Sequence, residues 1–168
     1  VRPEQGARMV EALTGFRWQT LRDEGRRAYG LVDLMGDARY GYRVLAGGID
    51  GETVVNPSHT YNGPMAAVWN AYATAAADHV VRSDFEVEAG ERRLLGEVEE
   101  DTAASDELRA QVRSLYWKIL AERASEEEVE AAMSLVEAVM DGGGPGDNQR
   151  AWKLLLGALL QDARFTHY

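Results

Sequence analysis

The sequence predicts a mainly α protein: a helical bundle with a long turn-rich segment at about residues 36–63 and room for one short β-ribbon. Three observations predict it. Apolar residues recur at three- and four-residue spacing over 64–82 and again over 106–160, the period of a helix with one buried face. Residues suited to starting a helix (Pro64, Ser125, Asp147) stand just ahead of those stripes. Between 36 and 63 the chain is instead crowded with turn dipeptides. With 168 residues, 45% of them hydrophobic and 8% aromatic, the chain has enough apolar material to form a core.

Residues 3–13 read as a first short helix. Pro3 suits its first turn, Glu4 suits the positive end of the dipole, Met9, Val10 and Leu13 form one face, and Thr14-Gly15 is a stop. Phe16-Arg17-Trp18 reads as extended. Residues 19–35 are ambiguous: Gly25 and Gly30 weaken a helix, yet Tyr29, Val32 and Leu34-Met35 could bury one face. Gly36-Asp37, Gly47-Gly48, Asp50-Gly51, Asn56-Pro57 and Asn62-Gly63 are turn signals. The apolar pieces between them, Tyr40 to Leu45 and Thr53 to Val55, fit either a two-stranded ribbon or a long ordered loop.

From Pro64 to Arg82, a stripe of Met65, Val68, Trp69, Tyr72, Ala76, His79 and Val80 marks a helix rich in alanine. Residues 83–104 are acidic and weakly patterned around Leu94-Leu95, as in a surface connection with at most one helical turn. Three helices follow. Leu108, Val112, Leu115, Tyr116, Ile119 and Leu120 line the first. Ser125 and Glu128 form a capping box for the second, lined by Val129, Ala132, Met133, Val136, Val139 and Met140. After Gly142 to Gly146, Asp147 is placed as the cap of the third, whose stripe is Trp152, Leu155, Leu156, Leu159 and Leu160. Each fully buried Leu or Val contributes roughly 1.5–3 kcal/mol, so these stripes suffice for a small core. The expected organisation is an N-terminal helical and loop-rich region, 1–104, and a C-terminal three-helix subdomain, 105–168, joined in one compact unit.

Net charge is −10, which disfavours nucleic acid and anionic membranes as partners, since both require clustered cations. The charge is uneven: residues 1–45 carry eight arginines against six acids, and the remainder ten bases against twenty-two acids. That remainder is either a solvated acidic surface or a docking face for a basic partner. Without cysteine there is no disulfide, thiolate nucleophile, zinc–thiolate site or covalent haem attachment. No apolar run approaches the roughly 20 residues of a membrane span. The start Val1-Arg2-Pro3-Glu4 has no apolar signal segment, and its missing initiator Met is expected of a processed or trimmed chain, which leaves export open.

No constellation of residues identifies a reaction, and no cofactor is expected. His79, on an apolar stripe, is either a ligand or the commoner case, a buried histidine bonded to a carbonyl. Gly47-Gly48-Ile49-Asp50-Gly51 is the most unusual stretch. Its glycines permit close backbone approach, and Asp50 and His59 are the metal-ligand candidates, although the spacing matches neither an EF-hand nor a P-loop. A demanding turn explains the same stretch. Gly142 to Gly146 reads as a linker, since Asp147 would repel a phosphate. Glu99, Glu100 and Asp101 lack the aromatic wall of a glycosidase pair.

Leu115-Tyr116-Trp117-Lys118-Ile119-Leu120 through Glu128, and Trp152-Lys153-Leu154-Leu155-Leu156 through Phe165, resemble the C-terminal helical segment of cytochrome-associated domains of unknown function from planctomycetes and myxobacteria. Gly41 to Gly51 is similar to the same group. The resemblance implies an exported protein and a haem carried by another domain or subunit, because this chain has no Cys-x-x-Cys-His. Two functions are therefore expected. The first is a non-catalytic helical module that binds a protein partner through Trp18 or Trp117, as an accessory subunit of an extracytoplasmic electron-transfer assembly; a cytoplasmic location is the alternative. The second is a small-molecule or metal-binding protein, with or without enzymatic activity, using the 47–62 loop with Asp50, His59 and Tyr61.

Overall fold

The computed structural model describes residues 2–23, 28–58, 60–102, 105–142, 144 and 146–166. These contain seven α-helices and one two-stranded antiparallel sheet, a mainly α fold as the apolar periodicity predicts. The chain divides into two compact units, Val1–Tyr72 and Ala73–Tyr168.

In the first unit, α1 (Pro3–Thr14) has Pro at its start and ends on Gly15 in the left-handed conformation. Thr14 is buried and closes the helix with its side chain. Its Oγ1 donates to Val10 O (2.6 Å) and accepts from Phe16 N (3.0 Å). Next comes a hairpin of β1 (Gln19–Asp23) and β2 (Ala28–Asp33), in register Gln19↔Asp33 and Thr20↔Val32. The ribbon thus lies in the ambiguous 19–35 stretch and not within 36–63. The period-two signal is weak there because Leu31 is exposed while its neighbours Val32 and Asp33 are both half-buried. Asp33 ends the strand by accepting from Met35 N and Gly36 N at 2.8 and 3.0 Å.

Tyr40 to Leu45, which fits a ribbon or an ordered loop on sequence alone, is helical: a 3-10 turn at Ala38–Tyr40 and then α2 (Tyr42–Leu45). Asp37 starts it by accepting from Arg39 N (2.9 Å), a local bond that competes with strand pairing. The unit closes on the first part of α3 (Gly63–Phe85), where Asn62 caps the helix by accepting from Met65 N (3.0 Å).

Tyr72, 1% exposed, is the centre of this core. The rings of Phe16, Trp18 and Trp69 lie 5.7, 5.6 and 5.9 Å from it, and its hydroxyl donates to Ala7 O (3.3 Å). Burial pushes the Tyr72 phenol well above its usual range. Gly6 is what lets α1 approach so closely, since a Cβ there would overlap the Trp69 ring. Gly6→Ala is therefore expected to cost about 1–3 kcal/mol despite its better helix propensity, a reversal of sign that chemical denaturation would detect.

In the second unit, the rest of α3 buries Ala73, Ala76, Ala77, Val80 and Val81. Leu94, Leu95 and Val98 are also buried, so the 83–104 stretch is a tethered part of the core and not a surface connection. Asp84, 2% exposed, accepts from the backbone N–H groups of Arg93, Leu94 and Leu95 at 3.1, 2.9 and 2.9 Å. Gln111, 0% exposed, donates to Leu94 O (2.8 Å) and accepts from Glu97 N (2.9 Å). The two side chains satisfy amides and a carbonyl that burial would otherwise leave without water.

The predicted C-terminal helices follow as α4 (Asp106–Leu115), α5 (Glu126–Met140) and α6 (Asp147–Gln161), with a last turn α7 (Ala163–Thr166). Leu108, Val112, Leu115, Leu120, Val129, Val136, Trp152 and Leu156 are completely enclosed. The Ser125–Glu128 capping box is present in both directions. Asp147 differs from expectation. Gly146 holds the cap position, and Asp147, one residue inside the helix, reaches back to accept from Gly144 N (2.7 Å).

Candidate functional site

Among the described residues of the second unit, Trp117 is the most exposed large apolar side chain, ahead of Leu154, Val87 and Leu135. Leu108, Val112 and Leu115 pin one face of α4 to the core, and the chain then widens into a π-helical turn, Tyr116–Leu120. Tyr116, Ile119 and Leu120 continue the buried stripe, so Trp117 and Lys118 project outward. Trp117 is 61% exposed. The turn ends on Ala121 at φ 54°, a left-handed conformation that costs a residue with a Cβ about 1–2 kcal/mol. A π turn and a strained alanine on either side of an exposed tryptophan are backbone features that concentrate at functional sites.

Beside Trp117 lies a cleft of about 460 Å³, lined also by Arg113, Ser114, Arg123 and Ala124. Its walls are held from both sides. Arg113 donates to both carboxylate oxygens of Glu126, at 2.8 and 3.0 Å, and Arg109 reaches Glu130 at 2.6 Å, fastening α4 to the first turns of α5. Lys118 donates to Arg93 O (3.2 Å). Arg123 is exposed and has no carboxylate partner among the described residues. The cleft therefore shares its lining between an exposed indole, the Arg123 side chain and an Arg113 already paired with Glu126.

Arg164 ties α7 to Glu122 and to the first turn of α5. It meets Asp162, Glu128 and Glu122 at 2.8, 2.8 and 3.2 Å, and its guanidinium lies 5.7 Å from the centre of the Tyr116 ring. Hydrogen bonding from Arg164 holds the Asp162 carboxyl below its usual range, and hydrogen bonding to Asp162 raises Arg164 further. The Ser125 backbone N–H does most to lower Glu128, with Arg164 adding to it. Each of these carboxylates is committed to an intramolecular partner.

The other sequence candidates stand elsewhere. Trp18 is half-buried and packs its ring 4.9 Å from that of Tyr42 and 5.6 Å from that of Tyr72, as a core residue of the first unit does. Asp50 turns back on its own loop. Its Oδ1 accepts from Glu52 N, Thr53 N and Val54 N at 2.9, 2.9 and 2.8 Å, and these amides lower its carboxyl below the ordinary range. His59 lies outside the described residues, Tyr61 is exposed, and His79 is half-buried on α3. No group of three or more His, Asp or Glu side chains able to hold a metal ion occurs among the described residues. Nor, among them, is any helix long and apolar enough to cross a membrane.

The π turn was not legible in advance. Its apolar spacing fits an ordinary α-helix equally well, and only the exposure of Trp117 beside Ala124-Ser125 singles the turn out. Comparison of the chain with protein-family models, with curated proteins and with solved structures finds no match in any of the three.

Proposed function

We propose that this chain is a non-catalytic helical module that binds another protein through the Trp117 cleft. The observation that supports it is the indole at 61% exposure on the rim of a cleft flanked by Arg113 and Arg123. Exposed tryptophan and arginine are the residue types that carry most binding energy at protein interfaces. The Arg123 guanidinium, with no carboxylate partner among the described residues, favours a partner segment that offers an apolar side chain next to a carboxylate. The resemblance of the C-terminal helices to cytochrome-associated domains supports an extracytoplasmic electron-transfer assembly as the setting, with this chain as an accessory subunit.

Native purification followed by identification of co-purifying proteins tests the reading. A partner held by the wild-type chain is expected to be lost from both Trp117→Ala and Arg123→Glu, whose side chains lie outside the core, so folding should be preserved. A Trp117→Ala protein that still retains every native partner overturns it.

A further inference from the structure

A second concave site lies in the first unit, on a face with the opposite electrostatic character to the chain as a whole. A cleft of about 670 Å³ opens between the start of α1, Arg43 on α2 and the 48–57 loop. Three guanidiniums line it, those of Arg2, Arg8 and Arg43, against the single carboxylate of Glu4. Glu4 forms an ion pair with Arg43. The contact runs from Arg43 Nε to a Glu4 carboxylate oxygen, and Arg43 Nη1 donates to Gly36 O (3.3 Å), so this guanidinium is already partnered. Arg2 and Arg8 are exposed and have no acidic partner among the described residues. In a chain of net charge −10, two arginines on one cleft with no acidic partner among the described residues require an explanation other than average surface charge.

Gly48 is buried and approaches so closely that a Cβ would come within 2.8 Å of Arg43 O, which fixes the loop against α2. Ile49, Val55 and Pro57 add apolar surface, with Val55 62% exposed. The start of α1 contributes the positive end of its dipole, with the same sign as the arginines. The volume lies within the range of small-molecule sites, and arginine's planar fork matches a two-oxygen acceptor.

We propose that this cleft binds a small organic anion, with its carboxylate or phosphate group held by Arg2 and Arg8 beside the Arg43–Glu4 pair and its apolar body on Ile49, Val55 and Pro57. The 48–57 loop thus serves an anion through its backbone and apolar side chains. Asp50 takes no part, because its carboxylate is occupied by its own loop amides.

Heteronuclear NMR of the chain, titrated with phenyl phosphate, benzoate, inorganic phosphate and benzyl alcohol, tests the proposal. Phenyl phosphate or benzoate is expected to shift the Gly48 and Ile49 amides and the Arg43 Nε–H saturably, the tighter of the two identifying the acidic group. Inorganic phosphate should bind more weakly, lacking the apolar body. An Arg2→Gln, Arg8→Gln double variant should weaken binding about tenfold with an unchanged melting temperature, since neither side chain has an acidic partner among the described residues. The proposal is overturned if neither organic anion saturates, if benzyl alcohol or inorganic phosphate binds as well as they do, or if the double variant binds like the wild type.

Discussion

Trp152→Ala is expected to destabilise the protein by about 3–5 kcal/mol, the range for deleting a fully enclosed aromatic side chain. Trp152 is 0% exposed on α6, its ring lies 6.5 Å from that of Phe85, and its Nε1–H donates to Glu100 O (3.3 Å). The substitution removes the dispersion contacts of the indole, opens a cavity between elements that cannot fully collapse, and frees a carbonyl. Against a typical stability of about 5–15 kcal/mol this is a large fraction. Guanidinium denaturation should show a lowered midpoint with an unchanged slope. Trp152→Phe should lose distinctly less, because it keeps most of the ring volume and forfeits the indole hydrogen bond. A Trp152→Ala protein within about 1 kcal/mol of wild type would show that α6 is not packed as described.

Asp84→Ala should be comparably severe, at about 3 kcal/mol or more, for a different reason. Little volume is lost. Three backbone N–H groups, two of them fully buried, lose their only acceptors, and each orphaned amide costs about 1–3 kcal/mol. Asp84→Asn retains one carbonyl oxygen and should fall between the two. Amide hydrogen exchange provides a local readout: Leu94 and Leu95 should lose protection in Asp84→Ala beyond what the global destabilisation explains. If their protection falls only in step with global stability, Asp84 does not tether this loop.

These two residues also show where sequence reading reaches and where it stops. Trp152 lies in a stripe of leucines at helical spacing, so its burial follows from periodicity alone. Asp84 carries no such mark, because a carboxylate at the end of a helix is ordinarily solvated. Its partners stand nine to eleven residues away, and no local pattern encodes that distance. Gln111 is similar: a polar side chain on the buried face of α4 that pairs with backbone 14 and 17 residues earlier. Without that pairing in view, residues 83–104 look like acidic surface. The hairpin of 19–33 escaped for the related reason that a two-stranded ribbon with one exposed and two half-buried residues in sequence does not alternate cleanly.

The candidate sites follow the same division. Trp117 was legible as an aromatic residue, but its exposure, the π turn beneath it and the nearby arginines depend on how α4 meets α5. Trp18 had the same sequence credentials and was drawn into an aromatic cluster with Tyr42 and Tyr72. Arg2, Arg8 and Arg43 are unremarkable along the chain, and only the folding of the 48–57 loop over α1 and α2 brings them together.

By itself the sequence determined the helices over 64–82 and 106–160, the Ser125–Glu128 cap and most of the apolar stripe each of those helices buries, because helix period, capping and apolar burial act over three to four residues. The tertiary structure alone decided which polar groups are buried, where the ribbon forms, which tryptophan faces solvent and which arginines share a cleft. Those outcomes depend on distance through space between residues far apart in the chain, and on the requirement that every buried donor and acceptor find a partner there.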